Sequence, residues 1–110
     1  MEAFEIADLL QQQKRSGERY LEFLKMPAIS TGIYALPQGA ADTQQPHTED
    51  EVYYVLSGRG TITVADEDRP VGPGTVVFVG AEVEHRFHSI TEELTMFVVF
   101  APARGSLAQA

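Results

Sequence analysis

From Gly17 onward the chain is a succession of short runs rich in Val, Ile, Tyr and Phe, broken at regular intervals by Gly, Pro and Asp. The runs fall at 19–25, 30–36, 51–57, 60–65, 75–79, 84–90 and 94–100. Between them stand turn signals: Pro37-Gln38-Gly39, Ser57-Gly58, Ala65-Asp66-Glu67-Asp68, Gly72-Pro73-Gly74 and Thr91-Glu92-Glu93. Short strands at this spacing predict an all-β sandwich or barrel. A parallel α/β sheet is excluded, because no helical pattern separates the strands. Ahead of them, Ile6, Leu9, Leu10 and Gln13 share one helical face, Lys14 and Arg15 suit a last turn, and Gly17 suits a left-handed stop. We read residues 5–16 as one short amphipathic helix that covers an end of the domain or packs on a partner. With 110 residues, no linker and no repeat, a single domain over 1–110 is expected, with a loose tail from Pro102 to Ala110.

Charge and cysteine content narrow the chemistry. Sixteen acidic against 8 basic residues give a net charge of −8, which disfavours nucleic acid and anionic membrane surfaces as partners. There is no cysteine, so disulfides, thiolate ligands and cysteine nucleophiles are excluded together. Any metal must be held by His, carboxylate, amide or water. No secretory signal or membrane-length apolar run reads from the sequence, and a cytoplasmic location is the default expectation.

The three histidines fall in two places: His47, ahead of the run Val52-Tyr53-Tyr54-Val55-Leu56, and His85 and His88 in Glu84-His85-Arg86-Phe87-His88-Ser89. Side chains two apart on a strand share a face. If extended geometry reaches back through Pro46, then Gln45, His47, Glu51, Tyr53 and Val55 lie together. Glu51 is then a carboxylate aimed the same way as large apolar residues, and burying it requires a cation or hydrogen-bond donors. On the second strand His85, Phe87 and Ser89 share a face and His88 points away. Two His and one carboxylate form a facial triad suited to Fe(II), Mn(II), Ni(II) or Zn(II), with positions left open. Its ligands must be deprotonated. Glu49 and Asp50 are expected to form a solvated acidic entrance, with Glu49 the understudy ligand. Tyr53, Phe87 and Val55 are expected to border a substrate pocket.

These segments resemble the two motifs of the cupin superfamily. Gly39, Gln45, His47, Glu51 and Gly58 match the spacing of the first motif (39–58), with Gln45 where the family carries its first His. Gly74 and His85 match the second motif (74–89), with Gly80, Glu82 and Ser89 where Pro, Gly and Asn are usual. The resemblance implies a double-stranded β-helix, or jelly-roll barrel, that binds a divalent metal through His47, Glu51 and His85, with Gln45 the weakest candidate. It also implies a homodimer. The leading functional reading is an enzyme of oxygenase or isomerase type acting on a small molecule, with the ion as Lewis acid or dioxygen carrier. The alternatives are a non-catalytic small-molecule or metal-sensing module and, last, a metal-free barrel.

Overall fold

The computed structural model describes residues 1–107. Helix α1 spans Ile6–Ser16 and ends on Gly17 at φ 73°, the left-handed stop its position predicts. Six strands follow: β1 (Tyr20–Met26), β2 (Ile29–Leu36), β3 (Asp50–Val64), β4 (Glu67–Val71), β5 (Val76–Val79) and β6 (His85–Ala101). All pair antiparallel in one sheet ordered β1-β2-β6-β3-β4, with β5 on the other side of the first half of β3. The expected all-β architecture with one short helix is what forms. No helix among the described residues is long and apolar enough to cross a membrane.

The expected pairs 51–57/60–65 and 84–90/94–100 are each one long strand with a bend. In β3 the buried residues are odd-numbered before the bend (Glu51, Tyr53, Val55), and Ile62 is buried after it. In β6 they are His85 and Phe87, then Ile90, Leu94, Met96, Val98 and Phe100. Each switch of parity needs a local insertion, and the β3–β6 register shifts between Val55 and Thr61. Gly58 sits at that shift with φ 93°, and a Cβ there would lie 2.0 Å from the Glu93 carbonyl oxygen, so only glycine fits. On β6 the counterpart is Ser89 at φ 52°. The bends let two strands supply both walls of a core formed by Leu36, Tyr53, Val55, Ile62, Phe87, Leu94, Met96, Val98 and Phe100.

Two expectations are corrected. The expected turn over 65–68 is confined to Ala65 and Asp66; Glu67–Val71, polar and holding Pro70, is the edge strand β4 with only Val71 buried, where a missing N–H costs least. The tail is also not loose as far as it is described. Ala103 is 1% exposed, its N–H donates to the Pro27 carbonyl (3.3 Å), and the Arg104 N–H donates to Ser30 Oγ (2.9 Å). Residues 108–110 lie outside the described residues.

Candidate metal centre

Strand β3 places Glu51 on the core-facing side, paired with Val79 on one flank and Phe100 on the other. Strand β6 opens with His85, which faces the same interior. His47 comes from the irregular segment before β3, and its carbonyl accepts the Glu82 N–H at 2.7 Å. Glu82 holds φ 66° to make that bond, at the position where the family usually carries glycine. The left-handed backbone is thus kept although the residue that favours it is not. The structure brings the three side chains together: their donor atoms all lie within 4.8 Å of one another. Glu51 Oε1 is 3.1 Å from His85 Nε2 and 3.8 Å from His47 Nε2. Donors sharing one divalent ion at about 2.1 Å stand roughly 3–4 Å apart, so the group can hold a metal ion.

Hydrogen bonding sets the protonation pattern. His85 Nδ1 lies 2.9 Å from the Val83 carbonyl, which can only accept, so Nδ1 carries the proton and Nε2 presents its lone pair to the cluster. Tyr53 Oη stands 3.2 Å from His85 Nε2 and 3.2 Å from Gln44 Oε1. Glu51 Oε1 is buried and has no hydrogen-bond partner, although His85 Nε2 stands 3.1 Å away. The carboxylate oxygen and the ring nitrogen thus stand close together with no hydrogen bond between them. A buried carboxylate oxygen in that state calls for a cation. This is the fit expected of a divalent-metal site, with His47, Glu51 and His85 as the donors.

Electrostatics agree. Burial alone would lower the His85 pKa, but the Glu51 carboxylate, the Val83 carbonyl and the charge of Asp42 outweigh it and raise the pKa above 6.5. A proton is drawn to where a cation belongs. His47 is shifted the other way, lowered by burial and by the charges of His85 and Arg104 against the pull of Glu51.

Other expected site residues are placed differently. Gln45 is exposed and takes no part in the cluster. Its neighbour Gln44 does, with Oε1 3.1 Å from His47 Nε2. Residues 37–49 are not a strand, so alternation does not carry back through Pro46. Gln44 is aimed by Asp42, which accepts from Gln44 Nε2 (2.7 Å), Tyr34 Oη (2.8 Å) and the Phe87 N–H (2.9 Å). Glu49 is not a solvated entrance. It is 2% exposed and accepts from the Thr48 hydroxyl, the Gly105 N–H (2.9 Å) and the Leu107 N–H (3.3 Å). Burial would raise its pKa, yet these bonds win and hold it below the usual carboxylate value. Asp50 is exposed and accepts the Ala81 N–H at 2.9 Å. His88 points away from the cluster, 2.8 Å from Thr63 Oγ1.

A cavity of about 80 Å³ opens beside the cluster, lined by Gln44, His47 and Glu51 and by Tyr20, Tyr34, Val98, Phe100 and Arg104. Tyr53, Phe87 and Val55, expected to border a pocket, are fully buried in the core and are not among its lining residues, with Phe87 edge-on to Tyr53 at 4.9 Å. Tyr20, Tyr34 and Arg104 carry no sequence signal for the site because β1 and β2 reach it only through sheet pairing and the tail only by docking.

Comparison with known proteins agrees with the geometry. Residues 32–101 match the Cupin domain family. An uncharacterised protein of Streptomyces coelicolor, SCO3923, is 46% identical over 102 residues, covering 93% of this chain and 97% of its own. Among solved structures, TT1209 of Thermus thermophilus superposes with a TM-score of 0.74 at 24% identity, covering 94% of this chain and 99% of that one. An RmlC-like cupin with a double-stranded β-helix fold from Methanocaldococcus jannaschii gives 0.72 at 20% identity, covering 83% and 84%. The family match over residues 32–101, with a fold that agrees, shows that the chain belongs to the cupin family.

Proposed function

We propose that the protein is a metal-dependent enzyme that acts on a small molecule at the His47, Glu51, His85 centre. The observation that carries this reading is the buried Glu51 oxygen without a hydrogen-bond partner, 3.1 Å from His85 Nε2 and 3.8 Å from His47 Nε2. A divalent ion bound there would supply Lewis acidity or, if redox-active, one-electron chemistry. Glu51 and the two imidazoles hold the ion and do not serve as the general base. Gln44 Oε1 and Tyr53 Oη lie within hydrogen-bond reach of the histidines and orient groups brought to the cluster. Val98 and Phe100 give the cavity an apolar wall that excludes water.

The test is to load the protein separately with Fe(II), Mn(II), Ni(II) and Zn(II) and follow substrate loss and oxygen uptake over a broad panel of small metabolites. Turnover that vanishes in His85→Ala supports the enzyme reading. A tight complex that survives long incubation unchanged, with every metal, replaces it with a binding or sensing module.

We also propose a homodimer. On the outer side of the sheet, Tyr54, Val76 and Phe78 are 43%, 62% and 63% exposed and adjoin across the β3–β5 pairing. Light scattering is expected to give twice the chain mass and to fall to the chain mass in Phe78→Asp. A monomeric wild type contradicts the proposal.

A further inference from the structure

The cavity has one charged residue that no part of the metal centre uses. Arg104 is the only Lys or Arg among its lining residues. The guanidinium carbon lies 5.0 Å from the Tyr20 ring centroid and 5.9 Å from that of Phe100, a two-ring shelf that orients the planar cation. The backbone pins it on both sides: the Arg104 N–H donates to Ser30 Oγ, and the next N–H, of Gly105, donates to Glu49. No carboxylate among the described residues pairs with it within 4.0 Å; the ion pairs found all involve histidines.

Beside it stands a second unused group. The Tyr20 hydroxyl is buried and has no hydrogen-bond partner. Its ring lies across Gly32, where a Cβ would come within 2.3 Å of Tyr20 Cζ, so a side chain at 32 would displace it. Burial raises its pKa far above the usual phenol value against the opposing charge of Arg104, so it remains a donor at all physiological pH. The neighbouring Tyr34 hydroxyl is already committed to Asp42.

Charge balance points to what these groups bind. Arg104 is exposed at the cavity mouth, and a divalent ion, two neutral imidazoles and Arg104 set against the Glu51 and Asp42 carboxylates leave one uncancelled positive charge around the cavity. Glu49, behind His47, is already engaged by three donors. A positive surplus facing a partly apolar cavity favours an anion there. Deepening the metal reading, on which this charge balance rests, we propose that the substrate is a compact carboxylate, whose carboxylate group is anchored by the Arg104 guanidinium and the Tyr20 hydroxyl while its reactive end lies at the metal centre. A guanidinium suits that role because its fork of donors matches the two oxygens of a carboxylate.

The probes are glycolate and its uncharged isostere glycolamide, titrated by NMR into zinc-loaded and zinc-free protein, with metal content and thermal midpoint recorded for each variant. We expect glycolate to bind at least tenfold tighter than glycolamide in the wild type. Arg104→Met is expected to lose at least tenfold for glycolate with glycolamide unchanged, Arg104→Lys to recover part of the loss, and Tyr20→Phe to lose about threefold. A merely structural role for Arg104 would weaken both probes alike. Equal binding of the two probes, or an unchanged glycolate affinity in a folded Arg104→Met, overturns the proposal. If zinc is not retained but an Arg104-dependent preference persists in the zinc-free protein, the anion anchor stands and the metal reading falls.

Discussion

Two glutamates two residues apart, at the tail clasp and at the barrel centre, show how neighbourhood decides the role of a buried carboxylate. Glu49 and Glu51 are each 2% exposed. Glu49 is surrounded by donors: the Thr48 hydroxyl and two N–H groups of the C-terminal segment. Its charge is spent on structure, fastening residues 104–107 to the mouth of the barrel. Glu51 has an oxygen with no donor, between two imidazoles. A satisfied acid stabilises the fold. An unsatisfied one is a cost the fold carries, and here it belongs to a His47, Glu51, His85 group able to hold a metal ion.

The comparison breaks most sharply under substitution. Glu51→Gln is expected to weaken divalent-metal binding at least a hundredfold, about 3 kcal/mol, while the metal-free protein keeps its stability within about 1 kcal/mol because an unsatisfied buried charge is removed. Glu49→Gln should do the reverse. It leaves two N–H groups facing a weaker acceptor and is expected to cost about 1–3 kcal/mol in urea unfolding, with metal affinity within about threefold by calorimetry. A Glu49→Gln protein that loses metal, or a Glu51→Gln protein that unfolds, would collapse the distinction.

Acid separates the two sites by different windows. The folded pKa of Glu49 is depressed below its ordinary 4.5, so its contribution is fully present above that value and is lost as pH falls through the lower folded value. Proteolysis of the tail should therefore accelerate only below about pH 4.5. At the centre, His85 has its pKa raised above 6.5, so protons compete with metal there and affinity should already decline as pH falls through that raised value, well before the Glu49 window is reached. In the metal-free protein, stability from His85 is present below 6.5 and lost as pH rises through its folded pKa, while lowered His47 contributes in the opposite sense. Metal-free stability from the two imidazoles should thus pass through a maximum near 6.5, the common unshifted value, and fall on either side, as seen by thermal melts.

A third glutamate calibrates the smallest effect. The Glu82 side chain is exposed; its backbone, at φ 66° with its N–H on the His47 carbonyl, is what the centre uses. Glu82→Gly should raise stability by up to about 1 kcal/mol and leave metal affinity unchanged. A loss of metal would show that the Glu82 side chain matters after all.

How much of this was readable in advance follows from backbone regularity. Alternation works on β3 and β6, so Glu51, Tyr53 and His85 were legible as facing one interior, and His88 as facing away. It fails in the irregular segment before β3, where it selects Gln45 although Gln44 reaches His47. The bends at Gly58 and Ser89 split two strands into four in the sequence, because a parity switch reads as an interruption. Glu49 and the tail were misread because their partners are backbone N–H groups, which leave no trace in residue identity. Tyr20 and Arg104 were missed because only sheet pairing and tail docking bring them to the cavity.

The most direct measurement is the divalent-metal content of protein purified without a chelating tag, taken on wild type, Glu49→Gln, Glu51→Gln and His85→Ala after dialysis against each candidate ion. The account predicts about one ion per chain in the first two and almost none in the others. Wild type that binds no ion, or Glu51→Gln and His85→Ala that hold it as well as wild type, would contradict it.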